Sequence, residues 1–167
     1  MKRAFLILGF ILLLSYPLLS EEVNWLPFPE ALDSVNGSNK HMLVLFYSPG
    51  CGWCKKLFAT TLADSEITFY INDRFFASKI NIASDEPVLW EEDTVSERAI
   101  ATAFGISGVP AFVFIDSESK YVTKLSGYKD KLAFKLILDY ISESWYEDLT
   151  LDEYIESEMR LKKQEAK

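Results

Sequence analysis

The chain has 167 residues, of which 49% are hydrophobic and 14% aromatic, so it can bury one core of ordinary size and we expect a single domain. Its formal net charge is -8 at pH 7, and an acidic chain lacks the basic face that nucleic-acid phosphates or anionic lipids require. Composition therefore argues against nucleic acid as a partner and against adsorption to anionic membranes, while it leaves protein partners open.

The first twenty residues have the charge and hydropathy order of a secretory signal. Two basic residues precede an apolar run at 4–14, and small polar residues follow it. We expect residues 1–20 to be a signal peptide and 21–167 to be the exported domain. An uncleaved membrane anchor stays open as the alternative, because Leu18 is larger than the residue that a signal peptidase prefers three positions before its cut. The apolar run is nevertheless short for a span of about 20 residues.

Two segments with different patterns precede the cysteines. The segment from Glu30 to Val35 follows Pro27 and Pro29 and ends at a run of Asn, Gly and Ser, which predicts a short helix entered through a proline turn. The segment from Met42 to Tyr47 is continuously apolar, which is typical of a strand covered on both faces of a sheet. His41 directly precedes this strand and is interpreted as a surface histidine without a functional role.

Cys51 and Cys54 form the only cluster in the sequence that can carry covalent chemistry. The helical spacing of residues from Cys54 to Leu62 places Cys51 at the start of a helix and Cys54 in its first turn. Unpaired N–H groups and the helix dipole stabilise an anion there, so we expect the Cys51 thiol to ionise readily. Such a thiolate attacks a disulfide, and a second thiol nearby resolves the mixed disulfide. The pattern predicts Cys51 as the nucleophile and Cys54 as the resolving cysteine.

Two other interpretations of the cysteines have less support. A structural zinc site needs four Cys or His ligands, whereas the chain has two cysteines and one histidine, so no metal is expected. A purely structural disulfide would close a very short loop and would stabilise the fold by only roughly 2 kcal/mol. Trp53 lies between the cysteines and cannot be deeply buried without hiding the sulfurs, so we expect it to line a partner-binding surface.

Strands and helices are predicted along the rest of the chain, which contains no internal repeat. Buried strands are expected at 75–82 and 111–115, and the second of these forms a hairpin with 121–125. Helices are expected at 97–104, over an apolar stripe at 132–141 and in a last short segment capped by Thr150. The acidic stretch from Asp85 to Ser96 has no predicted element.

The order of these elements resembles the thioredoxin superfamily over roughly residues 25–145. The shared features are a buried strand, a C-x-x-C sequence at a helix start, Gly108-Val109-Pro110 before a hydrophobic strand, and Gly127 after the hairpin. The resemblance implies an α/β thioredoxin fold, in which a central mixed β-sheet is flanked by helices, here with a short C-terminal helical extension. It also implies a cis bond between Val109 and Pro110 that faces the cysteines, with the adjacent backbone binding the substrate chain.

The segment from Phe46 to Lys56 is similar to that of exported bacterial thioredoxin-like proteins, among them the periplasmic thioredoxin of the sulfur-oxidation system. Three features depart from cytoplasmic thioredoxins. Leu45 occupies the place of a buried aspartate that helps to move the proton of the resolving thiol. Gly50 and Trp53 replace a tryptophan and a proline that tune the redox potential. The stretch from Asp85 to Ser96 resembles an insertion that could form a partner-specific loop.

The resemblance implies a thiol–disulfide oxidoreductase that needs no cofactor. Its expected partners are disulfide-containing exported proteins and a membrane electron donor, and its expected location is the periplasm. We expect a reductant, with an oxidase or isomerase as the first alternative, because potentials across this fold differ by about 150 mV, or roughly 7 kcal/mol. A non-catalytic binding module or chaperone that uses Trp53 and the Pro110 loop is the second alternative. The sequence does not indicate an oligomeric state.

Overall fold

A computed structural model of the protein describes residues 22–165, so the predicted signal segment at 1–20 lies outside the described part of the chain. The described elements, in chain order, are β1 (Trp25–Leu26), α1 (Phe28–Val35), β2 (His41–Tyr47), α2 (Gly52–Ala59), α3 (Ser65–Arg74), β3 (Phe75–Asn81), β4 (Pro87–Trp90), β5 (Asp93–Ser96), α4 (Glu97–Ala103), β6 (Ala111–Ile115), β7 (Tyr121–Ser126), α5 (Lys131–Ser142), a short 3-10 helix (Trp145–Glu147) and α6 (Leu151–Glu165). Within residues 22–165, every helix is too short or too polar to cross a lipid bilayer.

Five of the strands form one mixed sheet, in the order β1-β3-β2-β6-β7. β1 and β2 both run parallel to β3, whereas β6 is antiparallel to β2 and to β7. Parallel neighbours need a crossover connection, which α2 and α3 supply between β2 and β3. The predicted architecture, a mixed sheet flanked by helices, is confirmed.

The central strand β2 is buried on both faces. Leu43 and Leu45 pack into a cluster with α2, α3 and α5, while the alternate residues Met42, Val44 and Phe46 pack against α1 and α4. Burying one such side chain stabilises the fold by about 1.5–3 kcal/mol, so both layers hold this strand firmly. The arrangement explains the uninterrupted apolar run, and it fixes the strand end at Tyr47, from which the chain turns towards Cys51.

The C-terminal extension is longer than the sequence predicts. Thr150 caps α6 as predicted, because its backbone N–H donates to the Glu153 carboxylate at 2.9 Å while the Glu153 N–H donates back to the Thr150 hydroxyl at 3.4 Å. The helix then continues for 15 residues. Tyr154 is 5% exposed and packs into the same cluster as α5, with Ile155 partly buried beside it. The extension is therefore part of the folded core.

The stretch from Asp85 to Ser96 is structured rather than a loop. It forms the antiparallel hairpin of β4 and β5, separate from the main sheet. Trp90 at the end of β4 stacks on Phe104 with a centroid distance of 5.8 Å and meets Phe28 edge-on at 5.7 Å. The hairpin thereby packs on the side of the sheet that carries α1 and α4. Sequence analysis also gives no element for α3, which begins at the side-chain cap Asp64.

The interpretation of His41 as a surface histidine is wrong. Its side chain is 7% exposed, and its Nε2 is hydrogen-bonded to the Tyr146 hydroxyl at 3.0 Å. Desolvation by burial lowers the pKa of His41, although the carboxylates of Asp116 and Glu147 oppose that shift. The residue is covered by the C-terminal extension, 105 positions further along the chain. Local sequence pattern carries no signal for such a contact.

Candidate active site

The two cysteines lie at the N-terminus of α2, directly beyond β2. Cys51 is the N-cap residue, and its Sγ accepts a hydrogen bond from the Cys54 backbone N–H at 3.0 Å. The helix begins at Gly52, so Cys54 falls in its first turn, as the sequence predicts. First-turn N–H groups have no partner within a helix, and together with the dipole they favour negative charge at the N-cap. The Cys51 sulfur therefore sits where a thiolate is stabilised.

The two sulfurs differ in their access to solvent. They are joined as a disulfide, with their Cα atoms 5.2 Å apart. Cys54 is 1% exposed, whereas Cys51 is only partly buried. Thiol–disulfide exchange requires the attacking sulfur to reach the substrate sulfur. The geometry thus leaves Cys51 open to an external disulfide and encloses Cys54.

The Val109–Pro110 loop is a second segment of the chain that lies next to Cys51. The peptide bond between Val109 and Pro110 is cis. The Val109 carbonyl oxygen lies 3.5 Å from Cys51 Sγ, although the two residues are 58 positions apart. The Gly127 N–H donates to the Pro110 carbonyl at 2.8 Å, which ties this loop to the end of β7. Backbone of the Val109–Pro110 loop is therefore held beside the Cys51 sulfur.

A groove runs alongside this loop. It has a volume of about 350 Å³ and is lined by Trp53, Val109, Pro110, Gly127 and Tyr128. Trp53 is 59% exposed, so its indole is available to a bound partner. One lining residue, Val109, contacts Cys51 Sγ through its carbonyl oxygen, so the groove lies next to the cysteines.

Tyr128 is the groove residue that sequence analysis missed. Its position depends on Gly127, whose φ of 85° lies in the left-handed region that glycine adopts without strain. The resemblance had marked Gly127 as the residue that closes the hairpin, so an aromatic residue directly after it was the available signal. Tyr128 belongs to the groove because its ring contacts that of Trp53, 75 positions earlier, and only the fold brings these two residues together.

Trp53 and Tyr128 form a pair of neighbouring rings, here called the aromatic wall. Their centroids are 5.6 Å apart. The Lys56 ammonium lies over both rings, 5.1 Å from the Trp53 centroid and 4.7 Å from that of Tyr128. The Tyr128 hydroxyl is hydrogen-bonded to Thr60 at 3.1 Å. Hydrogen bonds from Thr60 and Thr61, followed by the charge of Lys56, lower the pKa of Tyr128. These contacts fix the wall from the side of α2.

Groups that could assist the cysteines by acid–base or metal chemistry are sparse in the described part of the chain. Leu45 is 0% exposed in β2, where it pairs in register with Lys79 of β3 and Phe112 of β6. An aliphatic side chain accepts no proton, so position 45 offers none of the proton transfer that a buried carboxylate would. Residues 22–165 contain no group of three or more His, Cys, Asp or Glu side chains placed to hold a metal ion.

Comparison with known proteins finds a matching family model and several similar proteins. A family model described as a thioredoxin-like domain matches residues 28–142. The chain is 31% identical over 98 residues to the protein disulfide-isomerase erp38 of Neurospora crassa, a match that covers 59% of this chain and 23% of that protein. It is 23% identical over 112 residues to the disulfide bond reductase DsbH of Chlamydia pneumoniae, covering 65% of this chain and 66% of DsbH.

Solved structures share the fold. A thioredoxin-fold protein from Helicobacter pylori superposes with a TM-score of 0.66 at 24% identity, and the match covers 78% of this chain and 95% of that one. The chain spans about a quarter of the length of the Neurospora isomerase and about two thirds of DsbH. The family match at residues 28–142 contains both cysteines and the Val109–Pro110 loop.

Proposed function

We propose that this chain, which belongs to the thioredoxin-like domain family, is a thiol–disulfide oxidoreductase that uses Cys51 and Cys54 as its redox pair. One observation carries the proposal: the two cysteines are joined at a helix N-terminus, and Cys54 is 1% exposed while Cys51 is only partly buried. A structural disulfide has no need of that asymmetry, whereas exchange with an external disulfide does.

The reduced protein would transfer two electrons in two steps. The Cys51 thiolate attacks one sulfur of a substrate disulfide, forms a mixed disulfide and releases the other substrate sulfur as a thiolate that takes up a proton. Cys54 loses its proton and attacks Cys51 Sγ, which releases the second substrate thiolate and leaves the Cys51–Cys54 disulfide. Because Leu45 accepts no proton, water at the open side of Cys51 is the acceptor that we propose for Cys54. The Val109 backbone and Trp53 would hold the substrate chain during both steps.

We propose the reducing direction, with disulfide-containing exported proteins as substrates and a membrane electron donor that regenerates the dithiol. The similarity to DsbH, which is named a disulfide bond reductase, supports this direction. Isomerisation is the second candidate, because the protein disulfide-isomerase erp38 of Neurospora crassa shares 31% identity over 98 residues with this chain. Both reactions use the same two sulfurs and differ in the potential of the pair.

We propose that the protein works outside the cytoplasm, in a periplasmic space. The signal-like order of the first twenty residues supports export, since two basic residues precede an apolar run there. Compartments beyond the cytoplasm are where disulfides form and persist, so substrates for the proposed site are abundant there.

Equilibrating the purified protein with glutathione buffers tests the proposal. Tryptophan fluorescence would report the oxidised fraction, because Trp53 lies between the two cysteines. A potential close to about -270 mV would support a reductant, and one near about -180 mV would support an isomerase. The variant C51S serves as the control and should show no transition. Absence of any reversible transition in the wild-type protein would overturn the proposed activity and favour a binding module.

A further inference from the structure

We propose that Lys56 is a specificity-determining residue of this site: with the aromatic wall it makes the groove prefer substrate cysteines that are flanked by apolar or acidic residues over those flanked by basic residues. This inference rests on the proposed function, because a substrate's neighbouring side chains enter the groove only when its cysteine reaches Cys51.

The position of the groove determines which substrate residues it contacts. Val109 lines the groove, and its carbonyl oxygen is 3.5 Å from Cys51 Sγ. Consecutive residues of a bound chain are 3.8 Å apart at their Cα atoms. A substrate cysteine joined to Cys51 therefore places the side chains of its immediate neighbours against Trp53 and Tyr128.

The lining of the groove favours an apolar neighbour. Trp53 is 59% exposed, and it shares the groove with Pro110 and the ring of Tyr128. A large apolar or aromatic side chain would remove this exposed surface from water and could pack against either ring. The two rings thus offer contact area to an apolar side chain next to the substrate cysteine.

Lys56 sets the electrostatic preference. Its ammonium contacts both rings but does not line the groove, so it approaches the aromatic wall from outside the binding surface. A basic substrate side chain would meet rings that already bind one cation and would be repelled by that charge. An acidic side chain would be attracted instead. Asp130 also acts on Tyr128, but its carboxylate accepts the Ala133 N–H as the cap of α5.

Single-turnover reduction of four peptides tests this inference. Each peptide is a symmetric disulfide dimer, and the four differ only in the two residues that flank the cysteine, which are both Phe, both Ala, both Asp or both Lys. The protein is reduced with dithiothreitol, freed of it and mixed with each peptide at low ionic strength, so that no electron donor is needed. Each reaction consumes one protein dithiol and yields two peptide thiols, which are quantified together with the second-order rate constant.

We expect the Asp peptide to react about fivefold faster than the Lys peptide, from two charges interacting near a protein surface. In K56M this ratio should fall below about twofold, whereas in K55M it should stay within about twofold of the wild-type value. Lys55 provides a matched control because it is exposed on the same helix, and the cation–ring contacts described for α2 involve Lys56. The ratio of the Phe to the Ala peptide should fall towards one in W53A.

The outcomes separate the two proposals. If the wild-type protein reduces all four peptides at one rate, or if K55M and K56M change the Asp-to-Lys ratio equally, the specificity role of Lys56 is overturned while the redox activity stands. If the reduced protein fails to reduce any peptide, and also fails to reduce oxidised glutathione, the proposed function itself falls. An independent readout is the pKa of Tyr128, obtained as the difference between the ultraviolet titrations of each protein and of its Y128F derivative, because the chain has eight tyrosines. This pKa should rise in K56M and remain unchanged in K55M.

Discussion

Removing the Tyr146 hydroxyl tests how far the C-terminal extension supports the central strand. The substitution Y146F keeps the ring but leaves His41 Nε2 without its 3.0 Å partner in a side chain that is 7% exposed. A buried polar atom that loses its hydrogen bond costs about 1–3 kcal/mol, so we expect the free energy of unfolding to fall by that amount. The loss is large against a typical domain stability of about 5–15 kcal/mol.

Urea unfolding followed by tryptophan fluorescence at about pH 8 measures this loss. The control is Y121F, because Tyr121 is 57% exposed and its hydroxyl makes no hydrogen bond among the described residues. We expect the control to change stability by less than about 0.5 kcal/mol. If Y146F were as stable as Y121F, the His41–Tyr146 contact would contribute nothing to the fold, and the argument from burial would be wrong.

The same contact predicts a pH dependence. His41 is the single histidine of the chain, and burial lowers its folded-state pKa below the ordinary 6.5. As the pH falls below 6.5, His41 takes up a proton in the unfolded chain before it does so in the folded one. The stability that is present above pH 6.5 is therefore lost progressively as the pH falls towards and through the lower folded-state pKa. Unfolding should therefore cost less at about pH 5.5 than at about pH 7.5, and H41Q should lack most of this difference. Greater wild-type stability at the lower pH would contradict the sign.

The remaining predictions concern the site and the helices around it. After reduction, iodoacetamide should modify Cys51 about tenfold or more faster than Cys54, which is 1% exposed; equal rates by mass spectrometry would contradict the assigned roles. C54S should accumulate a mixed disulfide with a peptide substrate on a non-reducing gel, whereas C51S should not. L57A should lower the free energy of unfolding by about 2–5 kcal/mol, because Leu57 is 0% exposed. T150A should lower the free energy of unfolding by about 1 kcal/mol, because it removes the α6 cap. The control is L161A, which should be nearly neutral because Leu161 is 52% exposed.

Elements with a strong local pattern could be predicted from the sequence. β2 was expected at 42–47 and occupies 41–47, because an uninterrupted apolar run fits only a strand covered on both faces. The hairpin of β4 and β5 was missed, since its proline and acidic residues are depleted in strands. Its stability comes from Trp90, which packs on Phe104 and Phe28 rather than following a local preference. Such tertiary contacts leave no periodic signal in the chain.

The residues of the candidate site also differ in whether the sequence alone could place them. Cys51 and Cys54 could be placed at a helix start because the motif, the preceding strand and the following helix are contiguous. Tyr128 could not be placed, because its ring meets that of Trp53, which lies 75 positions earlier in the chain. His41 was misread for a similar reason, since Tyr146 reaches it from the far end of the chain. Site residues that lie in one continuous segment could be predicted from the sequence, whereas contacts between distant segments could not.

The C-terminal extension changes where this domain may be cut and exchanged. The family match ends at residue 142, yet the Tyr140 hydroxyl donates to the Leu149 carbonyl at 2.7 Å, and Tyr154 packs on Tyr140 at 5.5 Å between ring centroids. A chimaera joined at residue 142 would lack the extension, so the Tyr140 ring and His41 would become exposed. The chimaera would then have an additional apolar surface that could associate with other proteins. A graft of this domain onto another protein should therefore be joined beyond α6, because a boundary at residue 142 would divide its packed core.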